Sequence, residues 1–320
     1  MNIESKSRFI FVNYISRSGS TLLCKLLNEY KGVSVGIEAG FPGATKKIIS
    51  DEFRVIKDID ALNKYLDILF EDIRFKEWRL NRVGVTKRIT NNGFPVGFKN
   101  ILEALFDEYF KDDEPSEIYI HKAGYYIDTL EEVINEFKDS KNIYITRDPR
   151  AIYNSQKNAD CLYSGKKMGD NFIHFIYQYQ RRIKASKSAD VNTLLLIRYE
   201  DLIANPDKTV DKVLSYIGIN DAVKKDSVSD YAERIPENQK SLHTNVGSAP
   251  NAKSLHKWVG NLSLAELYLI QKYLSDEMDY LGYVKDKLPL MGVNEVSAYI
   301  RLYLKYKYYV IRRRIERFLA

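Results

Sequence analysis

Residues 13–27, NYISRSGSTLLCKLL, set an arginine, a glycine and three hydroxyl side chains side by side at Arg17, Ser18, Gly19, Ser20 and Thr21. The apolar run Phe9 to Ile15 precedes them, and Leu22, Leu23, Leu26 and Leu27 follow at helical spacing, so the stretch predicts strand, tight loop and helix. A glycine at such a loop lets backbone N–H groups at the helix start converge on an anion, where the helix dipole also favours negative charge. The ATP and GTP form of this device needs GxxxxGK followed by Ser or Thr, with the lysine on the outer phosphates and the hydroxyl on magnesium. Here the basic residue precedes the glycine. A P-loop kinase using ATP and magnesium is therefore the alternative reading, weakened by the missing lysine. Taken alone, RSGST is no more specific than a helix start capped by Ser18 or Ser20.

A second anion-binding pattern stands in NIYITRDPRAIYNSQKN, residues 142–158. Arg147 ends an apolar run, Pro149 suits the first turn of a helix, and Ser155 follows two turns later. With both segments in this order, the chain resembles the sulfotransferases that use 3′-phosphoadenosine 5′-phosphosulfate (PAPS). The resemblance implies that Arg17 to Thr21 bind the 5′-phosphosulfate and that Arg147 and Ser155, eight residues apart, bind the 3′-phosphate.

Further matches follow the tyrosylprotein sulfotransferase branch and its carbohydrate-modifying relatives, from residue 9 to about 283. Glu38 in VSVGIEAG stands twenty-one residues after Arg17, where that branch has its catalytic glutamate. Lys122 in YIHKAG precedes Arg147 by twenty-five residues, as the branch's active-site lysine does. Tyr199 in IRYEDLIANP matches the adenosine-binding tyrosine, and Lys257 in NAKSLHKWVGNLS the lysine that closes over the nucleotide. Two departures stand out. The arginine expected four residues after Ser155 is Ala159, which leaves Lys157 as a substitute base, and the active-site serine expected before Lys257 falls on Leu242, which leaves Ser241 or Thr244. The implied chemistry is sulfuryl transfer to a hydroxyl, with Glu38 as general base, Lys122 and Arg17 on the leaving phosphate and sulfuryl oxygens, and no metal.

Each residue also has a plain reading. Glu38 alone would be a solvated loop carboxylate, Lys122 a surface lysine at a strand end, and Tyr199 a core aromatic. Arg147 and Ser155 could pair with Asp148 and cap a helix. His121, beside Lys122, competes with Glu38 as base. His121, His174, His243 and His256 share no metal-ligand spacing, and Trp258 reads as a packing anchor. The basic, aromatic stretch 74–88 reads as a solvated helix face.

The elements that must position these groups alternate between strand and helix. After the first strand and helix, strand signals lie at Val33 to Gly36, Ile118 to His121, Asn142 to Thr146 and Asn192 to Tyr199. Helices are expected at Ile59 to Phe70 and Phe98 to Phe110. The fold class is therefore α/β, a P-loop nucleotide-binding fold whose central parallel sheet is flanked by helices. One sulfotransferase domain is expected over 1–297, with 44–113 a helical insertion on the acceptor side. Residues 298–320 form a basic amphipathic helix whose stripe is Ile300, Leu304, Tyr308, Ile311, Ile315 and Phe318.

Composition narrows the partners. The net charge is +6, and residues 301–320 hold seven Lys or Arg against one Glu, so the remainder is balanced. That argues against nucleic acid and suits an anionic membrane surface touched by the terminal helix. Cys24 and Cys161 form no metal or redox motif. No signal peptide or membrane span is expected, which points to a cytoplasmic setting with peripheral docking on the inner face of the membrane. A glycan, lipid-linked in one form, is the expected acceptor, and tyrosine in a peptide the second. A membrane-associated binding module that kept the nucleotide fold is a third reading.

Overall fold

The computed structural model describes residues 8–38, 55–73, 75–91, 93–161, 166–226, 231–234 and 255–319. The apolar runs become strands and the amphipathic segments wrap them. In chain order the elements begin β1 (Arg8–Tyr14), α1 (Ser20–Asn28), β2 (Val33–Val35), β3 (Val55–Ile56), α2 (Ile59–Glu71), α3 (Arg82–Thr90) and β4 (Val96–Gly97). Next come α4 (Phe98–Tyr109), β5 (Ile118–Lys122), α5 (Leu130–Glu136), β6 (Lys141–Thr146), α6 (Pro149–Lys157) and α7 (Phe172–Ser188). The series continues with β7 (Leu194–Arg198), α8 (Tyr199–Ala204), α9 (Pro206–Ile217) and α10 (Tyr231–Arg234). It closes with α11 (Leu264–Tyr273), α12 (Ser275–Tyr280) and α13 (Val293–Leu319).

Five strands pair in the order β2-β5-β1-β6-β7, every pair parallel. A parallel sheet needs cover on both faces, and the alternation along β1 supplies two sets of apolar side chains. Ile10, Val12 and Tyr14 meet α1 and α9 through Leu23, Leu27, Val213 and Ile217. Phe9 and Phe11 face the other way, into aromatic residues of 75–110 that include Trp78, Phe98 and Phe106. A third cluster on that second face joins Tyr144 of β6 to α6, α7, α11 and α12. Each fully buried side chain of this kind contributes about 1.5–3 kcal/mol of burial.

The region 44–113, expected to be helical, contributes α2, α3 and α4 among its described residues, and also a small antiparallel pair, β3 with β4, that the pattern did not announce. Tyr199, expected to end a strand, instead opens α8.

The last helix packs on the domain through a face other than its apolar stripe. It begins at Val293, five residues earlier than 298, and packs on α7 and α11 through Tyr299, Leu302, Tyr303, Tyr306, Tyr309 and Val310. The Tyr306 hydroxyl donates to Gln180 Oε1 at 3.0 Å, its ring lies 4.0 Å from that of Tyr273, and the Tyr309 hydroxyl sits 2.8 Å from His174 Nδ1. The apolar stripe from Ile300 to Phe318 points outward. Among the described residues no helix is long and apolar enough to cross a membrane.

Candidate active site

Every strand of the parallel sheet ends at one edge, where ligands of α/β sheets sit, and the predicted residues follow those strand ends. After β1 the chain turns through Arg17 at φ 79° and Gly19 at φ 93°. The left-handed backbone is free for glycine but strained for arginine, a conformation that persists where surrounding structure enforces it. Ser18 enforces part of it: its hydroxyl and its N–H both donate to the Ile15 carbonyl, at 2.7 and 3.1 Å. Ser18 is thus a fastener of the turn, and its N–H is not turned to a ligand, unlike the expectation that it helps cradle a phosphate. Ser20 and Thr21 open α1, whose N-cap Gly19 has no capping side chain among the described residues. The first N–H groups of that helix therefore retain donor capacity for an anion.

The two anion motifs meet. Arg17 Nε donates to Ser155 Oγ at 3.0 Å, across 138 residues of chain, and Gln156 Nε2 donates to the Ser16 carbonyl at 2.9 Å. Arg147, just past β6, lays its guanidinium carbon 4.5 Å from the Tyr199 ring centroid. That ring also covers Gly19, where an added methyl group would lie 2.1 Å from Tyr199 Cδ2. Burial lowers the pKa of Arg17, and the neighbouring Arg147 lowers it further; burial also lowers that of Arg147. Both guanidiniums stay charged at neutral pH, so Arg17, Arg147, Ser155 and Tyr199 form one cationic cluster with an aromatic ring at its side.

The RDPR turn is held by its own network. Asp148 caps α6 by accepting the Arg150 N–H at 2.8 Å and pairs with the Arg150 guanidinium at 2.6 Å, which stacks 4.2 Å from Trp258. Glu200 accepts the Asp148 N–H at 3.0 Å and the Tyr283 hydroxyl at 2.8 Å, and burial pushes its pKa up. Trp258 is the packing anchor its type suggested.

On the other side of the loop, Lys122 at the end of β5 is almost fully buried. Its Nζ donates to Thr21 Oγ1 at 3.1 Å and lies 3.4 Å from Glu38 Oε2. Glu38, three residues past β2, keeps a partly exposed side chain. Gly36 leaves room there for Phe106 and Trp78, whose ring atoms would stand 3.0 and 3.1 Å from a Cβ. The site thus has a half-open carboxylate beside a buried ammonium, next to the loop that suits a phosphate.

His121 points the other way. The strand alternation that sends Lys122 to the face of Val12 sends His121 to the face of Phe11, where its ring is fully buried near Phe11 and Phe106 and its Nδ1 lies 3.0 Å from the Tyr126 hydroxyl. It is removed as a competing base. Lys157 is engaged too, in an ion pair at 3.0 Å with Glu266, the N3 residue of the α11 capping box. Lys257 is exposed, and its carbonyl accepts from Asn154 Nδ2 at 3.2 Å. Ser241 and Thr244 lie outside the described residues. Among the described residues no group of three or more His, Cys, Asp or Glu could hold a metal ion.

Three contributors were not anticipated. Glu200 and Gln156 fasten the two loops. Tyr14, buried at the end of β1 with Lys122 Nζ 5.6 Å from its ring centroid, has a phenol pushed well above its ordinary pKa by burial and then by Glu38. A tyrosine closing an otherwise apolar strand is the signal that could have revealed it.

Comparison with known proteins bears on the family and the fold. The family model described as "Sulfotransferase family" matches residues 10–222. "Protein-tyrosine sulfotransferase 1" of Danio rerio is 23% identical over 262 residues, 80% of this chain and 66% of that protein. "Protein-tyrosine sulfotransferase" of Drosophila melanogaster is 22% identical over 79% of this chain and 47% of its own length. The chain thus spans between about half and about two thirds of these relatives. Among solved structures, the sulfotransferase domains of the curacin biosynthetic pathway and of the Synechococcus PCC 7002 olefin synthase superpose with TM-scores of 0.53 and 0.54. Each is 14% identical, the first over 88% of this chain and 99% of that domain, the second over 89% and 96%.

Proposed function

The chain belongs to the sulfotransferase family, and from that premise we propose that it moves a sulfuryl group from PAPS to a hydroxyl of an acceptor. The observation that carries the reading is the Arg17 Nε to Ser155 Oγ hydrogen bond at 3.0 Å, which joins the two motifs that would grip opposite ends of the nucleotide. Arg17 with the first N–H groups of α1 would hold the 5′-phosphosulfate, Arg147 and Ser155 the 3′-phosphate, and Tyr199 the adenine. Glu38 takes the acceptor's proton as the acceptor oxygen bonds to sulfur. Lys122 meets the charge left on the phosphate oxygen as its bond to sulfur breaks. The 3.4 Å contact between Lys122 and Glu38 supports this pairing of base and cation by setting the two groups side by side. Lys257 and a hydroxyl from Ser241 or Thr244 would close over the nucleotide.

For the acceptor we favour a glycan hydroxyl carried on lipid at the inner face of the membrane. The outward basic helix supports this choice, because it would hold the enzyme where such a precursor resides. The relatives' names favour tyrosine in a peptide, which is the second reading. Thermal unfolding with 3′,5′-ADP against ATP–Mg tests the donor: stabilisation by 3′,5′-ADP without magnesium is expected, and stabilisation by ATP–Mg alone would instead indicate a kinase. Transfer of labelled sulfate from PAPS to a glycan extract or to an acidic tyrosine peptide then separates the acceptors.

A further inference from the structure

The face of α13 turned away from the domain carries Ile300, Leu304, Tyr308, Ile311, Ile315 and Phe318, each between 50% and 90% exposed. At 3.6 residues per turn this stripe lies roughly 140° around the helix from the tyrosine face that grips α7 and α11. The same geometry sets Arg301, Lys305 and Arg312 along one flank and Lys307 and Arg314 along the other, all exposed. Glu316, paired with Arg312 and Arg313, lies off the stripe.

We propose that this face seats the protein in the headgroup interface of a bilayer rich in anionic phospholipid, with α13 lying in the membrane plane. An apolar stripe bordered on both sides by cations matches such a surface: the stripe enters the acyl boundary while the long basic side chains reach the phosphates. The helix runs about 40 Å, long enough for several headgroups. A second copy of the chain is a poorer occupant, because stripe-to-stripe packing would bring two rows of cations together. Nucleic acid would use the cations and leave the apolar stripe in water. The inner hydrogen bonds from Tyr306 and Tyr309 keep the helix on the domain, so docking requires no detachment. The inference does not depend on the transfer reaction.

The test is co-sedimentation of the full chain with vesicles of phosphatidylcholine alone or mixed equally with phosphatidylglycerol, in the absence of nucleotide. Binding to the mixed vesicles only is expected, weakening as salt rises. The triple variant Leu304→Ser, Ile311→Ser, Ile315→Ser should lose on the order of 100-fold in partitioning. Replacing Arg301 or Lys307 by Gln should lose about 5-fold each. Unchanged thermal melting shows that each variant is folded. Equal binding to both vesicle types, undiminished binding of the serine variant, or a dimer in solution that the serine variant dissociates would overturn the proposal.

Discussion

Replacing Gly19 by alanine should damage the site through one identified collision. The new methyl group would stand 2.1 Å from Tyr199 Cδ2 and 2.6 Å from Cε2, on a backbone held at φ 93°. The left-handed conformation alone costs a non-glycine residue roughly 1–2 kcal/mol. Moving the Tyr199 ring also gives up its contact with Arg147, at 4.5 Å, worth about 0.5–2 kcal/mol. The two together come to about 1.5–4 kcal/mol of stability, and 3′,5′-ADP affinity should fall at least ~10-fold as the first turn of α1 shifts. Urea unfolding measures the first quantity and calorimetric titration with 3′,5′-ADP the second. The decisive step repeats the substitution in a Tyr199→Ala background, where the collision is gone and only the backbone cost remains. A coupling of about 0.5–2 kcal/mol is expected between the sites; effects that add fully would refute the reasoning.

Glu38→Gln should leave 3′,5′-ADP binding intact and lower turnover by roughly 10²- to 10⁴-fold, and turnover near that of the parent would remove Glu38 as base. Lys122→Ala should lower turnover and also nucleotide affinity, since the ammonium touches Thr21 at the loop. Arg147→Ala should act mainly on affinity, by about 1.5–3 kcal/mol, read by titration with 3′,5′-ADP. Burial pushes the Cys24 thiol up to about 12, whereas Cys161 is exposed; at pH 8 a thiol reagent should therefore modify one cysteine in the folded protein and two after unfolding, and two fast equivalents at once would contradict that burial. Burial pushes the Glu266 carboxyl up, but the Ser263 N–H and Lys157 outweigh it and leave its pKa below the ordinary 4.5. A depressed carboxylate stabilises above its unfolded pKa and loses that contribution as pH falls through its folded pKa, so Glu266→Gln should destabilise at neutral pH and lose its effect once the pH falls below that lowered folded pKa. A pH-independent difference in denaturant midpoint would count against it.

How much of this was legible in the sequence depended on the range of the interaction involved. The sheet, its loops and the positions of Arg17 and Arg147 follow from local patterns, because a strand end and a helix start are written in a dozen residues, whereas Glu38 and Lys122 stood out only through the family resemblance. The rivalry of His121 with Glu38 as base could also have been judged by strand alternation, which puts His121 on the face opposite to its neighbour Lys122. The strained backbone at Arg17 was not legible, because partners across the chain, Ser155 and Gln156, join the Ser18 fasteners in holding the turn. The phase of α13 was hidden for another reason. Its tyrosines serve as core side chains because Gln180 and His174 answer their hydroxyls, and those partners are more than a hundred residues away. The more apolar stripe is therefore the outer face.

The shared direction of the five strands gives the sheet two rims with different duties. Arg17, Glu38, Lys122, Arg147 and Tyr199 all sit on or just beyond one rim, while the turns at Gly32, Ser140 and Asp190–Thr193 belong to the other, about 16 Å away for a strand of five residues. Val191 in the last of these turns is 79% exposed. That quiet rim is a port for engineering: a fluorophore or an affinity tag grafted between Asp190 and Thr193 would ride on the scaffold without reaching the chemistry.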